Sequence, residues 1–178
     1  MNLTTQTFLQ HLPLGQGVFN DVLEPLLALQ DEVREAFGYS IQNDVESAER
    51  MESLFSKPQP FGREEWSFDQ RQQATRDLRE NLRAANQLYV IGAGSEKIRT
   101  ADYDSGARFI AADGAVGAVD DLSKVLCVVS DGDGAEHLQR AIESSVHIVL
   151  HAHGDNLETW TRLCAEWAEM EVVPSLTL

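Results

Sequence analysis

The sequence predicts an α/β protein with a mainly parallel sheet, in a Rossmann-like three-layer core that follows an N-terminal helical segment. Three observations predict this class. The first 86 residues carry apolar side chains at helical spacing, short apolar runs begin at residue 87, and helical stretches then alternate with those runs. We therefore expect a helical segment over 1–86 and an α/β core over 87–178.

Two helices are expected in the first part of the helical segment. The run "FNDVLEPLLALQDEVREAF" from Phe19 has apolar residues at mixed three- and four-residue spacings. Pro25 lies inside it and predicts a break or an early-turn position. A second helix is expected to begin at Asn43 or Asp44, both good N-cap residues, and to run to about Phe55.

A linker and a third helix complete the segment. "SKPQPFG" has the proline and glycine content typical of a linker. "SFDQRQQATRDLRENLRAAN" is rich in strong helix formers and is expected to be capped by Ser67 or Asp69.

Five apolar runs in the second part are expected to be strands, at residues 88–92, 107–113, 125–131, 146–152 and 171–174. Several are continuously apolar, which is typical of parallel strands buried on both faces. "GAEHLQRAIESS" and "NLETWTRLCAEWAEM" are expected to be crossover helices, with right-handed connections. The connections after the first two runs are short and leave their structure open.

The charge of the chain narrows the classes of partner. A net charge of −15 argues against nucleic acid as the main partner, since phosphate contacts require basic patches. The cations are nearly all arginine; the lysines are Lys57, Lys97 and Lys124. An acidic, lysine-poor surface is typical of proteins from salt-loving hosts. The alternative is an ordinary acidic surface.

No part of the sequence predicts a membrane protein or an exported one. No apolar stretch approaches the roughly 20 residues that span a bilayer, and the N-terminus lacks the pattern of a secretory signal. Cys127 and Cys164 form no disulfide framework. We expect a cytoplasmic protein with small-molecule partners, no membrane and no nucleic acid, and a homo-oligomer remains open.

Polar, glycine-rich clusters follow four of the predicted strands. They are Gly92-Ala93-Gly94-Ser95, Asp113-Gly114, Asp131-Gly132-Asp133-Gly134 and His153-Gly154-Asp155-Asn156. The carboxyl ends of parallel strands share one edge of the sheet, where open α/β folds bind ligands. The clusters are therefore expected to form one site.

The chemistry of these clusters favours a divalent cation and a polyphosphate. Gathered carboxylates repel one another unless a cation intervenes, and Mg²⁺ prefers such oxygen ligands. Asp131 and Asp133 could both face the ion, while the backbone of Gly92, Gly94 and Ser95 could bind phosphate. This pattern indicates metal-assisted phosphoryl or nucleotidyl transfer.

Each cluster also has a structural alternative. Gly92–Ser95 lacks the remaining features of a phosphate-binding motif and could be a plain turn. The Asp-Gly pairs could be two tight turns, and Asp113 could cap a helix. His151 could be a hydrogen-bonded core histidine, and His153 could make only a local loop contact. Trp160 and Trp167 are expected to pack on one helix face rather than to stack on a substrate.

Four segments together resemble the archaeal 6-hydroxymethyl-7,8-dihydropterin pyrophosphokinase (MptE-like) family. They are "FGYSIQNDVESAERMESLF", "FIAADGA", "VVSDGDG" and "VHIVLHAHGDN". The same pattern is more distantly similar to thiamine pyrophosphokinases. The resemblance implies Mg²⁺-dependent transfer of diphosphate from ATP to the hydroxymethyl group of the pterin, which releases AMP and serves the synthesis of a pterin cofactor.

The resemblance also implies roles for individual residues. Asp131 and Asp133 would bind Mg²⁺ and the triphosphate, and Asp155 with Asn156 would complete the metal or substrate shell. Asp113 and Gly114 would line the nucleotide or pterin pocket, with Gly92, Gly94 and Ser95 near phosphate. His153 is the candidate general base by its proximity.

The chain departs from the family pattern in three places. The first turn is "GAGSEK" instead of a glycine turn with Pro-Ser-Leu, and Ser130 and Gly132 replace a threonine and a leucine. Relatives continue into a further Gly/Asp-rich motif, so we expect a core that lacks the family's C-terminal part. Two alternatives follow: a related nucleotide-sugar-using glycosylation domain, and a non-catalytic nucleotide-binding module.

Overall fold

A computed structural model describes residues 20–132 and 134–178 of the chain, and it contains one five-stranded sheet. The strands are β1 (Gln87–Ile91), β2 (Ala107–Ala112), β3 (Val125–Ser130), β4 (His147–Leu150) and β5 (Leu176–Thr177). They lie side by side in chain order and every neighbouring pair is parallel. The predicted α/β class is confirmed, and all carboxyl ends lie at one edge.

The described part of the chain also contains α-helices, some of which pack on this sheet. They are α1 (Asn20–Phe37), α2 (Ile41–Phe55), α3 (Phe68–Ala84), α4 (Ala135–Glu143) and α5 (Leu157–Ala168). The two short connections that the sequence left open contain 3₁₀ turns at Thr100–Asp102, Asp113–Ala118 and Leu122–Lys124. In the part of the chain that the structure describes, crossover α-helices are therefore found only after β3 and β4.

One face of the sheet carries the main core. The row Ala111, Val128, Ile148 and Leu176 crosses four strands in register, and each of these residues is buried. Buried side chains of α4 and α5 belong to the same apolar cluster. Burial of this continuous apolar surface supplies the main driving force for folding.

The opposite face is covered unevenly. Helix α3 lies over its β5 end, where the hydroxyls of Thr75 and Thr177 are 3.5 Å apart. At the β1 end, Leu88 is 45% and Val90 is 75% exposed. The expectation of strands buried on both faces is wrong for β1, because it is an edge strand followed by a short 3₁₀ connection.

The N-terminal helices are fixed to the core by indole and guanidinium donors. Trp160 Nε1 donates to Ser47 Oγ of α2 (3.1 Å), and Trp66 Nε1 donates to the Pro174 carbonyl (2.9 Å). Arg71 donates to the Phe55 carbonyl at 2.8 Å. The expected packing role of Trp160 and Trp167 is confirmed, since both are buried.

Several boundaries differ from the sequence prediction. Helix α1 continues past Pro25 without a break, and α2 begins at Ile41 with Ser40 as its N-cap rather than at Asn43 or Asp44. The last strand lies at Leu176–Thr177, not at residues 171–174. Ser40 displaces the two later candidates because its carbonyl already accepts the Asn43 and Asp44 N–H groups.

Two further expectations concern single side chains and the membrane. His151 is exposed, so its interpretation as a core histidine is wrong: β4 ends at Leu150, one residue earlier. Cys127 and Cys164 are buried free thiols, whose pKa values burial raises to about 11 and about 12. Across the described ranges, no helix combines the length and apolar character needed to cross a membrane.

Candidate functional site

Two carboxylates and one imidazole converge at the carboxyl edge of the sheet. His153 Nε2 lies 3.1 Å from Asp131 Oδ2, and His153 Nδ1 contacts Asp155 Oδ1 on the other side of the ring. Asp131 follows β3, and the other two residues follow β4. The side chains of Asp131 and His153 are each 30% exposed, so the group is reachable from solvent yet held in place.

Asn156 holds the two loops together. Its Nδ2 donates to the carbonyls of Asp131 (2.7 Å) and His151 (2.8 Å), and its Oδ1 accepts the His153 N–H at 2.8 Å. The residue is buried, and these contacts occupy its amide. Asn156 therefore acts as a strut that sets the positions of Asp131 and His153.

Asp113 lies behind this group, at the end of β2. Its Oδ1 accepts the Asp131 N–H at 3.1 Å, and its backbone is in the left-handed region at φ 47°. Burial raises the pKa of Asp113 above its usual range, hydrogen bonds from Ser130 and the Asp131 N–H oppose the rise, and the charge of Asp131 adds to it. Asp113 thus orients the Asp131 loop from inside.

Glycine lets the loops after β2 and β3 touch. A Cβ on Gly134 would lie 2.6 Å from the Cα of Gly114, a distance that no side chain tolerates. Gly134 also has φ 67°, directly before α4. The Asp-Gly pattern in the two clusters is therefore a packing requirement as well as a candidate phosphate cradle.

The Gly92–Ser95 cluster forms an exposed turn at the far end of the same edge. Gly94 has φ 82°, and the Ser95 hydroxyl donates to the Gly92 carbonyl at 2.8 Å. Strand β2 separates β1 from β3, and β3 separates β2 from β4. The structure places this turn on the predicted edge but not in the group around His153.

The N-terminal helices, for which the sequence predicted no site role, contribute directly to this edge. Asp44 of α2 accepts the Gly154 N–H through Oδ1 (2.8 Å) and Arg34 of α1 through Oδ2 (2.6 Å). A Cβ on Gly154 would lie 2.5 Å from Asn43 Cβ. The loop after β4 is therefore clamped against the first turn of α2, 110 residues earlier in the chain.

A helix-terminating motif brings an aromatic residue to the same place. Gly38 has φ 71°, and the Tyr39 N–H donates to the Arg34 carbonyl at 2.9 Å, which is the hydrogen bond of a Schellman motif. Ser40 then caps α2 at once. A glycine followed two residues later by an N-cap serine is the signal in the sequence that could have found this hairpin.

Two carboxylates at this edge are of the chemical type that Mg²⁺ prefers, although the imidazole of His153 lies between them. Mg²⁺ usually takes one or two protein carboxylates and completes its shell with water and phosphate oxygens. Asp131 and Asp155, on either side of His153, supply such donors, while Asp133 lies outside the described residues. Within the described ranges no group of three or more His, Cys, Asp and Glu forms a protein-only metal cage.

Comparisons with known proteins assign no family. No model of a known protein family matches the chain, and no curated protein matches it.

Proposed function

We propose that the protein transfers diphosphate from ATP to the hydroxymethyl group of a 6-hydroxymethyl-7,8-dihydropterin, with Mg²⁺ as cofactor and AMP as the second product. The observation that carries the proposal is the convergence of Asp131 and Asp155 on His153. The motif resemblance supplies the identities of donor and acceptor, which the geometry alone does not specify.

The reaction requires an alcohol oxygen to attack the β-phosphorus of ATP. A P–O bond forms to that oxygen, the bond between the β-phosphorus and the bridging oxygen to the α-phosphate breaks, and AMP leaves with the bridging oxygen. The alcohol proton must be removed during the step. His153 is the candidate base by its place beside Asp131. Because both of its ring nitrogens face carboxylates, one of them must give up that contact to accept the alcohol proton.

Asp131 would hold the metal, with Asp133 as the further ligand expected from the sequence. Asp155, on the other side of the His153 ring, would reach the same ion only if that ring moved. When bound, Mg²⁺ would neutralise charge on the transferred phosphates. Gly114, Gly132 and Gly134 lie in the loops after β2 and β3 beside Asp131, and their backbone is the phosphate-binding candidate expected from the sequence. The donor and metal would thus share one edge of the sheet.

An activity assay with two matched carboxylate variants tests the proposal. AMP should form from ATP only when the dihydropterin and Mg²⁺ are both present. Asp131→Asn should lower the rate by about a hundredfold or more, because it removes one anionic ligand without changing the shape. Asp102→Asn, which alters an exposed carboxylate in the β1–β2 connection, should keep the wild-type rate.

Three other results would contradict this proposal or part of it. Nucleotide binding without any AMP would contradict transfer and favour a binding module. Stabilisation of the fold by nucleotide-sugars but not by ATP would favour a glycosylation domain. A wild-type rate for Asp131→Asn would remove the proposed role of that carboxylate.

A further inference from the structure

A cavity of about 690 Å³ opens between the α1–α2 hairpin and the loop after β4. Asp131, His153 and Asp155 line one side, and Tyr39 and Asn43 line the other. The candidate reactive group is therefore one wall of an open cleft whose opposite wall comes from the N-terminal helices.

The two walls are held at a fixed separation. Asp44 binds both Arg34 and the Gly154 N–H, and the Schellman motif at Gly38 sets the direction of Tyr39. Gly154 touches the backbone of Asn43 and Asp44 so closely that a Cβ would overlap it. A pocket with such fixed walls is largely formed before its ligand arrives.

The charge of the lining disfavours an anionic ligand. Among the described lining residues, Arg34 is the cation, and it already forms an ion pair with Asp44 at 2.6 Å. In the absence of a metal ion, Asp131 and Asp155 then leave an excess of negative charge. A phosphate in this cavity would meet repulsion, whereas a neutral ligand with N–H donors would find carboxylate and amide acceptors.

The aromatic content favours a flat ligand. Tyr39 is 50% exposed, and its ring stacks on that of Phe37 with centroids 5.8 Å apart. His151 and His153, with ring centroids 5.3 Å apart, line the other side. An exposed ring supported from behind offers a planar ligand a stacking surface, and such pairs contribute about 0.5–1.5 kcal/mol beyond area burial.

We propose that this cavity binds the acceptor: a planar, uncharged heterocycle rich in N–H donors, stacked on Tyr39 with its hydroxyl directed toward Asp131 and His153. That the heterocycle is a pterin rests on the proposed function. The anionic triphosphate of the donor is then confined to the glycine-lined side of Asp131, because the acceptor side repels it.

Binding of an unreactive ligand tests the site without turnover. Oxidised 6-hydroxymethylpterin is titrated against the full chain without ATP, and its own fluorescence is followed. Tyr39→Leu should weaken binding by about three- to tenfold, and Tyr39→Phe should stay within about twofold because the ring is kept. Phe68→Leu, at an exposed aromatic outside the cavity, should leave binding unchanged.

A charged analogue tests the electrostatic argument. Pterin-6-carboxylate carries the same rings with an anionic substituent, and it should bind at least tenfold more weakly than the alcohol. Thermal melting of each variant checks that the fold is intact. An ATP analogue with Mg²⁺ should bind Tyr39→Leu and the wild type equally.

The results of these titrations distinguish failure of the proposed binding site from failure of the proposed function. Equal pterin binding by Tyr39→Leu and wild type overturns the acceptor site, whatever the activity. Tyr39-dependent binding of another neutral heterocycle, such as a hydroxymethylpyrimidine, with no pterin binding supports the site and contradicts the pterin acceptor. Failure of every neutral heterocycle to bind overturns the site as well.

Discussion

His147 and His153 lie at the two ends of β4, and their surroundings differ sharply. The ring of His147 is buried between two hydroxyls, with Nδ1 2.8 Å from Ser175 Oγ and Nε2 2.5 Å from Thr177 Oγ1. The ring of His153 lies between two carboxylates at a solvent-accessible edge. The first histidine joins β4 to β5, and the second is the candidate general base.

The buried histidine predicts a loss of stability in acid. Burial lowers the pKa of His147 from 6.5 to about 4, so between these values the unfolded chain binds a proton that the folded chain does not. The part of the free energy of unfolding that depends on a neutral His147 is fully present above pH 6.5 and is lost as the pH falls toward 4. The loss is about 3 kcal/mol. Urea unfolding at a series of pH values measures it.

A glutamine at this position isolates the effect. His147→Gln has no titrating ring, so its free energy of unfolding should change less between pH 6.5 and 4 than that of the wild type. Parallel pH profiles for wild type and His147→Gln would contradict the assignment.

For the individual site residues, the sequence indicated which side chains meet but not which contacts they make. Asp113, Asp131 and Asp155 were expected together because parallel strands end at one edge, and the structure places all three there. The role of Asn156 as a strut depends on backbone carbonyls brought close by the fold. No spacing in the chain encodes that arrangement.

The α1–α2 hairpin and the loop after β4 form one unit, although they are far apart in sequence. Their contact depends on a missing side chain at Gly154 and on the carboxylate of Asp44. The cluster "HAHGDN" therefore has a structural reason for its glycine: the backbone of α2 occupies the space that a side chain would need.

A side chain at position 154 should push the loop after β4 away from the α1–α2 hairpin. In Gly154→Ala the added Cβ would lie 2.5–2.9 Å from Asn43 and Asp44, mostly from backbone that cannot give way. We expect a loss of about 1–3 kcal/mol in the free energy of unfolding, together with weaker acceptor binding. Chemical denaturation and the pterin titration measure the two effects.

Gly92→Ala is the matched control. A Cβ added to Gly92 would meet no atom within 4 Å, and like Gly154 this glycine lies outside the left-handed region. Its substitution should change stability by less than about 0.5 kcal/mol. If Gly154→Ala and Gly92→Ala change the free energy of unfolding equally, the hairpin and the loop do not pack as closely as described.

Element boundaries show where the sequence pattern was insufficient. The apolar "EVVP" favours a strand, yet Val172 is 44% exposed and the paired residues are Leu176 and Thr177. Pairing with β4 decides the strand, and hydrophobicity does not reveal a partner. Asn43 and Asp44 are good N-caps by type, but Ser40 follows the helix-ending Gly38 and begins α2 first.

The whole molecule carries a large negative charge. A net charge of −15 on 178 residues makes the folded state repel itself, and the unfolded chain spreads the same charge over a larger volume. The class of fold follows from the alternation of apolar runs and helices, which the sequence displays, whereas the order of the strands is known only from the structure. The sequence does not show where α3 docks, and the uneven cover of the sheet depends on that position.

Salt should therefore stabilise the fold. The Debye length is about 10 Å at 0.1 M and about 3 Å at 1 M, so most of the self-repulsion is screened within that range. The thermal midpoint should rise by several degrees as KCl is raised from low concentration to about 1 M, and it should then level off. A midpoint that stays constant or falls over this range would contradict the charge argument.

In the proposed reaction, the edge around Asp131, His153 and Asp155 directs attack on the β-phosphorus of ATP. ³¹P NMR of the products of the wild-type protein, incubated with ATP, Mg²⁺ and the hydroxymethyl-dihydropterin, tests it directly. We expect the signals of AMP and of a diphosphate ester in equal amounts. ADP with a monophosphate ester, or ATP left unchanged, would contradict the claim.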